Sequence, residues 1–408
     1  MSCTGIPVPE SPWGIKLATP VYLDNQATTP VDPDVLQAMM PFFKENYGNA
    51  ASVHHSIGRD AKEAVERSRA LLAEALNARS KEIIFTSGAT ESINLSIRGF
   101  CKYYEEKGKH LITQSTEHKA VLDTVESLTQ EGWDITTVPV NEDGVVDPES
   151  IRKAIKPDTV LVIVMHANNE IGTIQPIAEI GAICKEKDVR FLVDASQSLG
   201  KLPIDVNKMN IDLLAASAHK IYGPKGIGML YVRRKDPKVE LVTQISGGDH
   251  EFGYRSGTLP VPLIVGFAKA TEKCLKTMDI ENARLRILRD KMINEIAAVH
   301  PEVILNGSIQ DRLSNNVNFC FSNIDAETLI IKMKGIACST GSACTSANLE
   351  PSHVVKALGR SNELAHSAIR FSLGRFNKAQ EIEYAIKEII DTVSFIKEKS
   401  PQQQLMNA

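Results

Sequence analysis

The segment Ser217-Ala-His-Lys220-Ile-Tyr-Gly-Pro-Lys225-Gly-Ile-Gly228 lies between two apolar runs, residues 212–216 and 229–232, each of which predicts a short buried strand. Its glycines and proline favour a turn between those strands. A lysine at the end of a buried strand can be held away from bulk water, which lowers its pKa and leaves a neutral amine able to attack a carbonyl carbon. Lys220 is therefore a candidate nucleophile, and a solvated lysine at a strand end is the alternative.

Apolar runs that end in polar or small residues recur along the chain before this segment. They predict strands at residues 81–86, 110–114, 159–165 and 190–193. Because helical patterns alternate with these runs, the fold class is α/β, with a mostly parallel sheet covered on both faces. Ligands of such sheets bind beyond the carboxyl ends of the strands. We therefore expect the polar residues that follow each strand, and Lys220, to converge on one site.

The chemistry of these polar clusters indicates a phosphorylated cofactor. The turn Ser87-Gly-Ala89-Thr90 precedes a helix predicted over residues 93–104, and free N–H groups at a helix start bind phosphate. Asp194 offers a carboxylate and Lys220 an amine. Pyridoxal 5'-phosphate requires an anion site for its phosphate, a carboxylate beside its ring nitrogen and a lysine for a Schiff base. Taken singly, each residue has a commoner structural role, such as a helix cap for Asp194.

Composition limits the classes of function. The chain has 408 residues and a net charge of −4, which predicts no nucleic acid or anionic membrane as partner. No apolar run approaches the roughly 20 residues of a membrane-spanning helix. The first twenty residues lack the basic start and continuous apolar core of a signal peptide, so we expect a cytoplasmic protein. Seven scattered cysteines, an odd number, do not predict a disulfide framework.

Two cysteines stand apart from the others. Cys338 and Cys344 lie within residues 335–348, which are nearly all small, so few apolar anchors hold the segment and we expect a mobile loop. An exposed thiol on such a loop can ionise and react. Two cysteines six residues apart, without a nearby histidine pair, match no common zinc spacing, and no metal site is predicted.

The predicted organisation has two domains with a segment at either end. We expect an N-terminal tail (1–20), a large cofactor-binding α/β domain (21–265), a small α+β domain carrying the cysteine loop (266–398) and a flexible C-terminus (399–408). The start of the large domain is also a candidate for packing on the small one. A long helical pattern over residues 263–296 connects the two.

With these features assembled, the sequence resembles the cysteine desulfurases of the NifS/IscS type, first subgroup, within the class V aminotransferase group. The resemblance implies the type I fold of pyridoxal-phosphate-dependent transferases. The motifs that carry it are Asp24-Asn-Gln-Ala-Thr-Thr-Pro30, Thr86-Ser-Gly-Ala-Thr-Glu-Ser92, Thr116-Glu-His-Lys-Ala-Val121, His166-Ala-Asn-Asn-Glu-Ile-Gly172, Asp194-Ala-Ser-Gln197, Ser217-Ala-His-Lys220, Arg255-Ser-Gly-Thr258, Ser339-Thr-Gly-Ser-Ala-Cys-Thr-Ser346 and Ile369-Arg-Phe-Ser372.

The resemblance also implies a role for each matching residue. Lys220 is similar to the Schiff-base lysine, Asp194 to the partner of the pyridine nitrogen and Cys344 to the sulfur acceptor. His118 is similar to the residue that stacks on the ring and transfers a proton, and Gln197 to the residue that binds the ring hydroxyl. The phosphate is bound by residues matching Ala89, Thr90, Ser217 and His219, and that of the neighbouring subunit by the match of Thr258. Asn169 and Arg370 match the residues that bind the substrate carboxylate, and Asn169 also lies beside the cofactor.

The implied activity is conversion of L-cysteine to L-alanine, with the sulfur left on Cys344 as a persulfide. A homodimer with shared active sites and delivery of sulfur to an iron–sulfur scaffold are further implications. The end of the chain, residues 402–408, lacks the Trp-Glu-Met segment and closing histidines typical of members that serve the general scaffold, so the acceptor stays open. A selenocysteine lyase, an aminotransferase, or an assembly protein with a vestigial cofactor site are the alternatives.

Overall fold

The computed structural model describes residues 20–340 and 351–399. The chain forms two compact units, and the larger comprises Thr28–Asn169 and Thr173–Met278. Of the described residues, the smaller takes 20–27, Glu170–Gly172, 279–340 and 351–399. We expected the boundary at residues 265 and 266, whereas contacts of the larger unit extend to Met278. None of the helices in these two ranges is both long and apolar enough to cross a membrane.

Strands and helices are numbered along the chain. The strands are β1 (Val21–Tyr22), β2 (Ile83–Thr86), β3 (His110–Gln114), β4 (Asp134–Val138), β5 (Thr159–Met165), β6 (Arg190–Asp194), β7 (Leu213–Ser217), β8 (Gly228–Val232), β9 (Ile304–Leu305), β10 (Asn316–Cys320), β11 (Ile336–Ala337), β12 (Ser339–Thr340) and β13 (Ala368–Ser372). The α-helices are α1 (Pro33–Met39), α2 (Pro41–Lys44), α3 (Ser56–Glu74), α4 (Ala89–Tyr104), α5 (Lys119–Thr129), α6 (Pro148–Ala154), α7 (Ile177–Glu186), α8 (Val261–Val299), α9 (Ala326–Lys332), α10 (His353–Ala357), α11 (Asn362–His366) and α12 (Ala379–Glu398).

The larger unit is built on a seven-stranded sheet in the order β2-β8-β7-β6-β5-β3-β4. The strands from β7 to β4 pair in parallel, and β8 runs antiparallel to both β7 and β2. All seven residues of β5 are buried, as expected for a strand covered on both faces. The prediction of an α/β fold with a mostly parallel sheet is therefore confirmed.

Helix α4 begins at Ala89, four residues before the start that the apolar pattern predicts. The polar residues of its first turn explain the difference. Glu91 accepts a hydrogen bond from the Ser87 N–H at 2.7 Å, and a carboxylate near a helix start stabilises the helix dipole. The helix therefore starts on residues that carry no apolar signal.

The smaller unit has a four-stranded antiparallel sheet in the order β12-β13-β10-β9 and a parallel pair formed by β1 and β11. Its core joins apolar residues of the sheet to the second half of α8 and to α12, including Ile296 and Ile389. Residues 336–337 and 339–340, at the start of the expected cysteine loop, form β11 and β12. The rest of that loop, residues 341–348, falls outside the described residues, and so does Cys344.

Candidate active site

The ends of neighbouring strands in the larger unit bring several predicted site residues to one edge of the sheet. Asp194 ends β6 and pairs with Ala215 of β7, whose last residue is Ser217. Ser217 and Thr86 both pair with Gly228 at the start of β8. Lys220 follows β7 by three residues, so the amine and the Asp194 carboxylate belong to adjacent parallel strands.

The start of α4 depends on two glycines. Gly88 precedes the helix, and Gly228 lies so close to it that a Cβ at position 228 would be 2.6 Å from the Gly88 Cα. Any side chain at position 228 would therefore push the turn away from the sheet. The first N–H groups of α4 have no acceptor within the helix. Thr90, in that first turn, is exposed, so an anion can approach them.

Arg255 links the Arg255–Thr258 motif to the same helix start. Its Nε donates to Glu91 Oε1 at 2.8 Å, and both side chains are largely buried. Burial favours the neutral acid, but hydrogen bonds from Arg255 and Ser87 outweigh it and hold the pKa of Glu91 below its usual value. Thr258, three residues further along, is exposed. The pair therefore keeps a guanidinium beside the candidate phosphate site.

Asp194 is buried, with 4% of its surface exposed, and its carboxylate is held by local hydrogen bonds. Its Oδ1 accepts the Ser196 N–H at 2.8 Å and the Ser196 hydroxyl at 2.5 Å. Gln197, also buried, accepts from the Lys201 amine at 3.2 Å. A carboxylate fixed in this way has a set orientation, which the pairing with a ring nitrogen requires.

His118 is the N-cap of α5 and is half-buried. Its Nδ1 accepts the Ala120 N–H at 3.0 Å, so the neutral ring carries its proton on Nε2. After β5, Asn169 is half-buried, and its neighbour Asn168 donates to the Thr116 carbonyl at 2.8 Å. This bond ties the segment after β5 to the segment after β3, where His118 lies.

Two buried titratable residues beside these segments belong to motifs of the sequence but have no role assigned to them there. Glu117 is fully buried and accepts the Met165 N–H at 2.5 Å. Burial above all, and then the charge of Asp194, raise the pKa of Glu117 to about 8. Burial lowers the pKa of His166 to about 4. At neutral pH Glu117 is therefore protonated and His166 is neutral.

The turn that carries Lys220 is a 3₁₀ helix, Ala218–Lys220, held by the Asp24–Pro30 motif. Thr29 donates its hydroxyl to the His219 carbonyl at 3.0 Å and accepts the Tyr222 N–H at 2.8 Å. His219 Nδ1 lies 3.1 Å from the Thr28 hydroxyl. Burial, and secondarily the charge of Lys220, lower the pKa of His219 to about 4. The turn is therefore fixed and presents a neutral imidazole next to the lysine.

The smaller unit contains Arg370 on β13, bound to Asp24. Arg370 Nη2 donates to Asp24 Oδ1 at 2.7 Å and to the Ser339 hydroxyl at 3.1 Å. Cys338 lies beside this pair, and burial and the charge of Asp24 raise the pKa of its thiol to about 12. A thiol held protonated in this way is a poor nucleophile. The five cysteines within the described ranges all have free thiols.

The residues of the larger unit fit pyridoxal 5'-phosphate by the chemistry of their donor groups. A long helix starts at the edge of the sheet with its first N–H groups and Arg255 beside it. A buried carboxylate, Asp194, and an amine, Lys220, follow on adjacent strands. Together they offer the anion site, the ring-nitrogen partner and the lysine that this cofactor requires.

Comparison with known proteins agrees with this geometry. Residues 21–385 match the family model Aminotransferase class-V. The chain is 50% identical over 387 residues to the cysteine desulfurase IscS of Anaeromyxobacter dehalogenans, covering 95% of this chain and 96% of the relative. It is 51% identical over 382 residues to IscS of Methylococcus capsulatus, covering 94% of each.

Solved structures agree as well. A NifS-like protein superposes with a TM-score of 0.86 at 37% identity, covering 92% of this chain and 99% of that protein. SspA in complex with cysteine superposes with a TM-score of 0.75 at 39% identity, covering 86% and 98%.

Proposed function

Because this chain belongs to the class-V aminotransferase family and to its pyridoxal-phosphate-dependent cysteine desulfurases, we propose that it converts L-cysteine to L-alanine and takes the sulfur onto Cys344. The observation that carries the proposal is the pairing of β6 with β7, which supports a Lys220 amine acting beside a buried Asp194 carboxylate. Pyridoxal 5'-phosphate, when bound, supplies an electron sink for the negative charge that develops at the substrate Cα.

The proposed roles of the chain's own residues follow from their surroundings. The first turn of α4, with Ala89 and Thr90, holds the phosphate together with Ser217 and His219. Asp194 keeps a proton on the ring nitrogen, and Gln197 donates to the ring hydroxyl. The Lys220 amine, next to the neutral His219, removes the proton from the substrate Cα.

Binding of the substrate and handling of its sulfur use another set of residues. Asn169 and Arg370 bind the carboxylate of L-cysteine. His118, whose proton lies on Nε2, moves a proton at the substrate thiol or at Cys344. The Cys344 thiolate then attacks the substrate sulfur and leaves a persulfide on Cys344. The bond between that sulfur and Cβ breaks, its electron pair stays on the carbon side, and reprotonation of the carbon gives L-alanine. The raised pKa of Cys338 supports Cys344 rather than its neighbour as the acceptor.

A homodimer and a protein acceptor of sulfur are also part of the proposal. The exposure of Thr258 suits a residue that reaches the phosphate of a second subunit. Apolar side chains around α1 to α3 are exposed in the single chain, and Phe43 and Tyr47 expose 55% and 68% of their surface. An iron–sulfur scaffold is the proposed acceptor, and the cytoplasm the proposed location. Sedimentation equilibrium tests the dimer, which a Tyr47→Glu substitution should weaken.

Mass spectrometry tests the reaction. The protein is incubated with pyridoxal 5'-phosphate and L-cysteine, alanine is quantified, and the added sulfur atom is located. No Lys or Arg lies between Lys334 and Lys356, so trypsin leaves Cys338 and Cys344 on one peptide and fragmentation must separate them.

We expect alanine and a persulfide on Cys344 in the wild type and in the matched control Cys338→Ser. Cys344→Ser should lose the persulfide and most alanine formation. Lys220→Ala should lose the visible absorption band of bound cofactor. Alanine without a persulfide would favour the lyase. If neither alanine nor a persulfide formed, the aminotransferase would be favoured.

A further inference from the structure

Arg370 is held by a buried network that the reaction above does not use. Its side chain is 4% exposed, and a buried guanidinium needs a counterion because its charge has lost most of its hydration. Asp24 supplies that charge at 2.7 Å. The same nitrogen, Nη2, also donates to the Ser339 hydroxyl at 3.1 Å. Both of its hydrogens are therefore committed, which fixes one edge of the guanidinium plane.

Asp24 is itself rigidly placed. The residue before it, Leu23, donates its N–H to the Ala337 carbonyl at 2.8 Å and accepts the Ser372 N–H at 2.7 Å. Asp24 forms a bridge with Ser372, so its backbone is held beside β13. The backbone of Asp24 is therefore fixed between two neighbouring strands, and its carboxylate starts from a set position beside β13.

Ser339 completes the triangle. Its hydroxyl donates to Asp24 Oδ1 at 3.0 Å, and it stands directly opposite Arg370 in the antiparallel pairing of β12 with β13. Directly opposed residues of such a pair project from the same face of the sheet. The register of the two strands and the hydrogen bonds of Ser339 therefore both hold the Arg370 guanidinium in place.

We infer that Asp24, supported by Ser339, is a positioning residue that sets the plane in which Arg370 meets the carboxylate of the substrate. This inference rests on the role proposed for Arg370 and adds the residues that make the role selective. A guanidinium recognises a carboxylate best through two parallel N–H···O bonds, which demand a defined plane. Asp24 and Ser339 thus determine the preference for substrates that carry a free α-carboxylate.

Orientation and charge predict opposite effects of changing Asp24. The negative charge of Asp24 repels an incoming carboxylate, so repulsion alone would make every neutral substitution tighten substrate binding. Orientation predicts that Asp24→Ala weakens binding. Asp24→Asn should bind nearly as well as the wild type, because its amide oxygen can accept the same two hydrogen bonds.

The experiment compares steady-state kinetics of the cofactor-loaded enzyme with L-cysteine and with L-cysteine methyl ester. The variants are Asp24→Ala, Asp24→Asn and Ser339→Ala, and the matched control is Asp391→Asn, an exposed carboxylate on α12 of the same unit. The KM for L-cysteine should rise about tenfold in Asp24→Ala and about threefold in Ser339→Ala, and it should stay close to the wild-type value in Asp24→Asn, with little change in kcat. The methyl ester should show no change in any variant.

Several outcomes would overturn the inference. The first is a rise in KM that is equal for L-cysteine and for its methyl ester. The others are an unchanged KM for L-cysteine in Asp24→Ala and tighter binding of L-cysteine by either Asp24 variant. If Asp24→Ala does not fold, Ser339→Ala decides, and an unchanged KM for L-cysteine in that variant rejects the role.

Titration of L-cysteine followed by cofactor absorption gives binding constants without turnover. A wild type that binds L-cysteine but forms no alanine would refute the proposed reaction. The comparison of acid and ester binding among the variants would still decide the role of Asp24.

Discussion

Two carboxylates, Glu251 and Glu66, bind Arg69. Removing the carboxylate of Glu251 should destabilise the larger unit far more than removing that of Glu66. Arg69 donates to Glu251 at 2.7 and 2.8 Å, and the two side chains are 3% and 1% exposed. Glu251 also accepts the Phe85 N–H at 2.7 Å. Glu66 accepts from Arg69 Nε at 3.3 Å but is 50% exposed.

The magnitudes follow from this difference in burial. Glu251→Ala leaves a buried guanidinium without its main counterion, which costs about 3–5 kcal/mol in the free energy of unfolding. Glu66→Ala removes a largely solvated partner and should cost at most about 1 kcal/mol. The double substitution Arg69→Met with Glu251→Leu removes both charges and should recover most of the loss.

Urea unfolding followed by circular dichroism measures these differences, with Glu66→Ala as the matched control. The reasoning would be refuted if Glu251→Ala cost no more than Glu66→Ala. It would also fail if the double variant were no more stable than Glu251→Ala. Because Phe85 leads into the turn before α4, the single variant should also release the cofactor more readily on dialysis.

Three further predictions concern the site and its surroundings. Gly228→Ala places a methyl group against the Gly88 backbone, so the dissociation constant of pyridoxal 5'-phosphate, measured by absorption, should rise roughly tenfold or more; an unchanged constant would contradict the close contact. In the folded chain Glu117 has a pKa of about 8 and keeps its proton up to that pH, whereas in the unfolded chain its pKa is the ordinary 4.5 and the proton is released above it. The free energy of unfolding should therefore fall by up to about 1.4 kcal/mol per pH unit from pH 5 to 8, and Glu117→Gln should remove that slope; equal slopes would contradict the burial argument. Ser352 caps α10 and donates to Glu170 Oε2 at 2.6 Å, so Ser352→Ala should cost about 1–3 kcal/mol in urea unfolding, more than loss of the cap alone in Ser361→Ala.

The fold class could be predicted because its signals are local. The apolar runs that became β3 and β5 have the predicted bounds, residues 110–114 and 159–165, since each is a continuous run ended by polar residues. The predicted cofactor and activity are confirmed by the family and its relatives. The individual roles of the site residues stay predictions.

The parts that the sequence did not indicate depend on contacts between distant residues. Glu117 lies in the polar stretch that follows β3, and only the packing around it makes it a buried acid. The sequence around Asp24 predicts only a strand end followed by a turn, whereas the bond from Arg370 to Asp24 joins residues 346 positions apart. No local pattern marks a partner at that separation.

That separation has a consequence for the order in which the chain becomes ordered during synthesis. The smaller unit takes its first strand from the start of the chain and the strands that hold it from the end. At about 5–20 residues per second, Asp24 is synthesised roughly 17–70 s before Arg370. The larger unit, nearly continuous in sequence, can fold within that interval. Strand β1, synthesised first, is therefore among the last strands to pair, and until β11 is made its backbone stays accessible to chaperones and proteases.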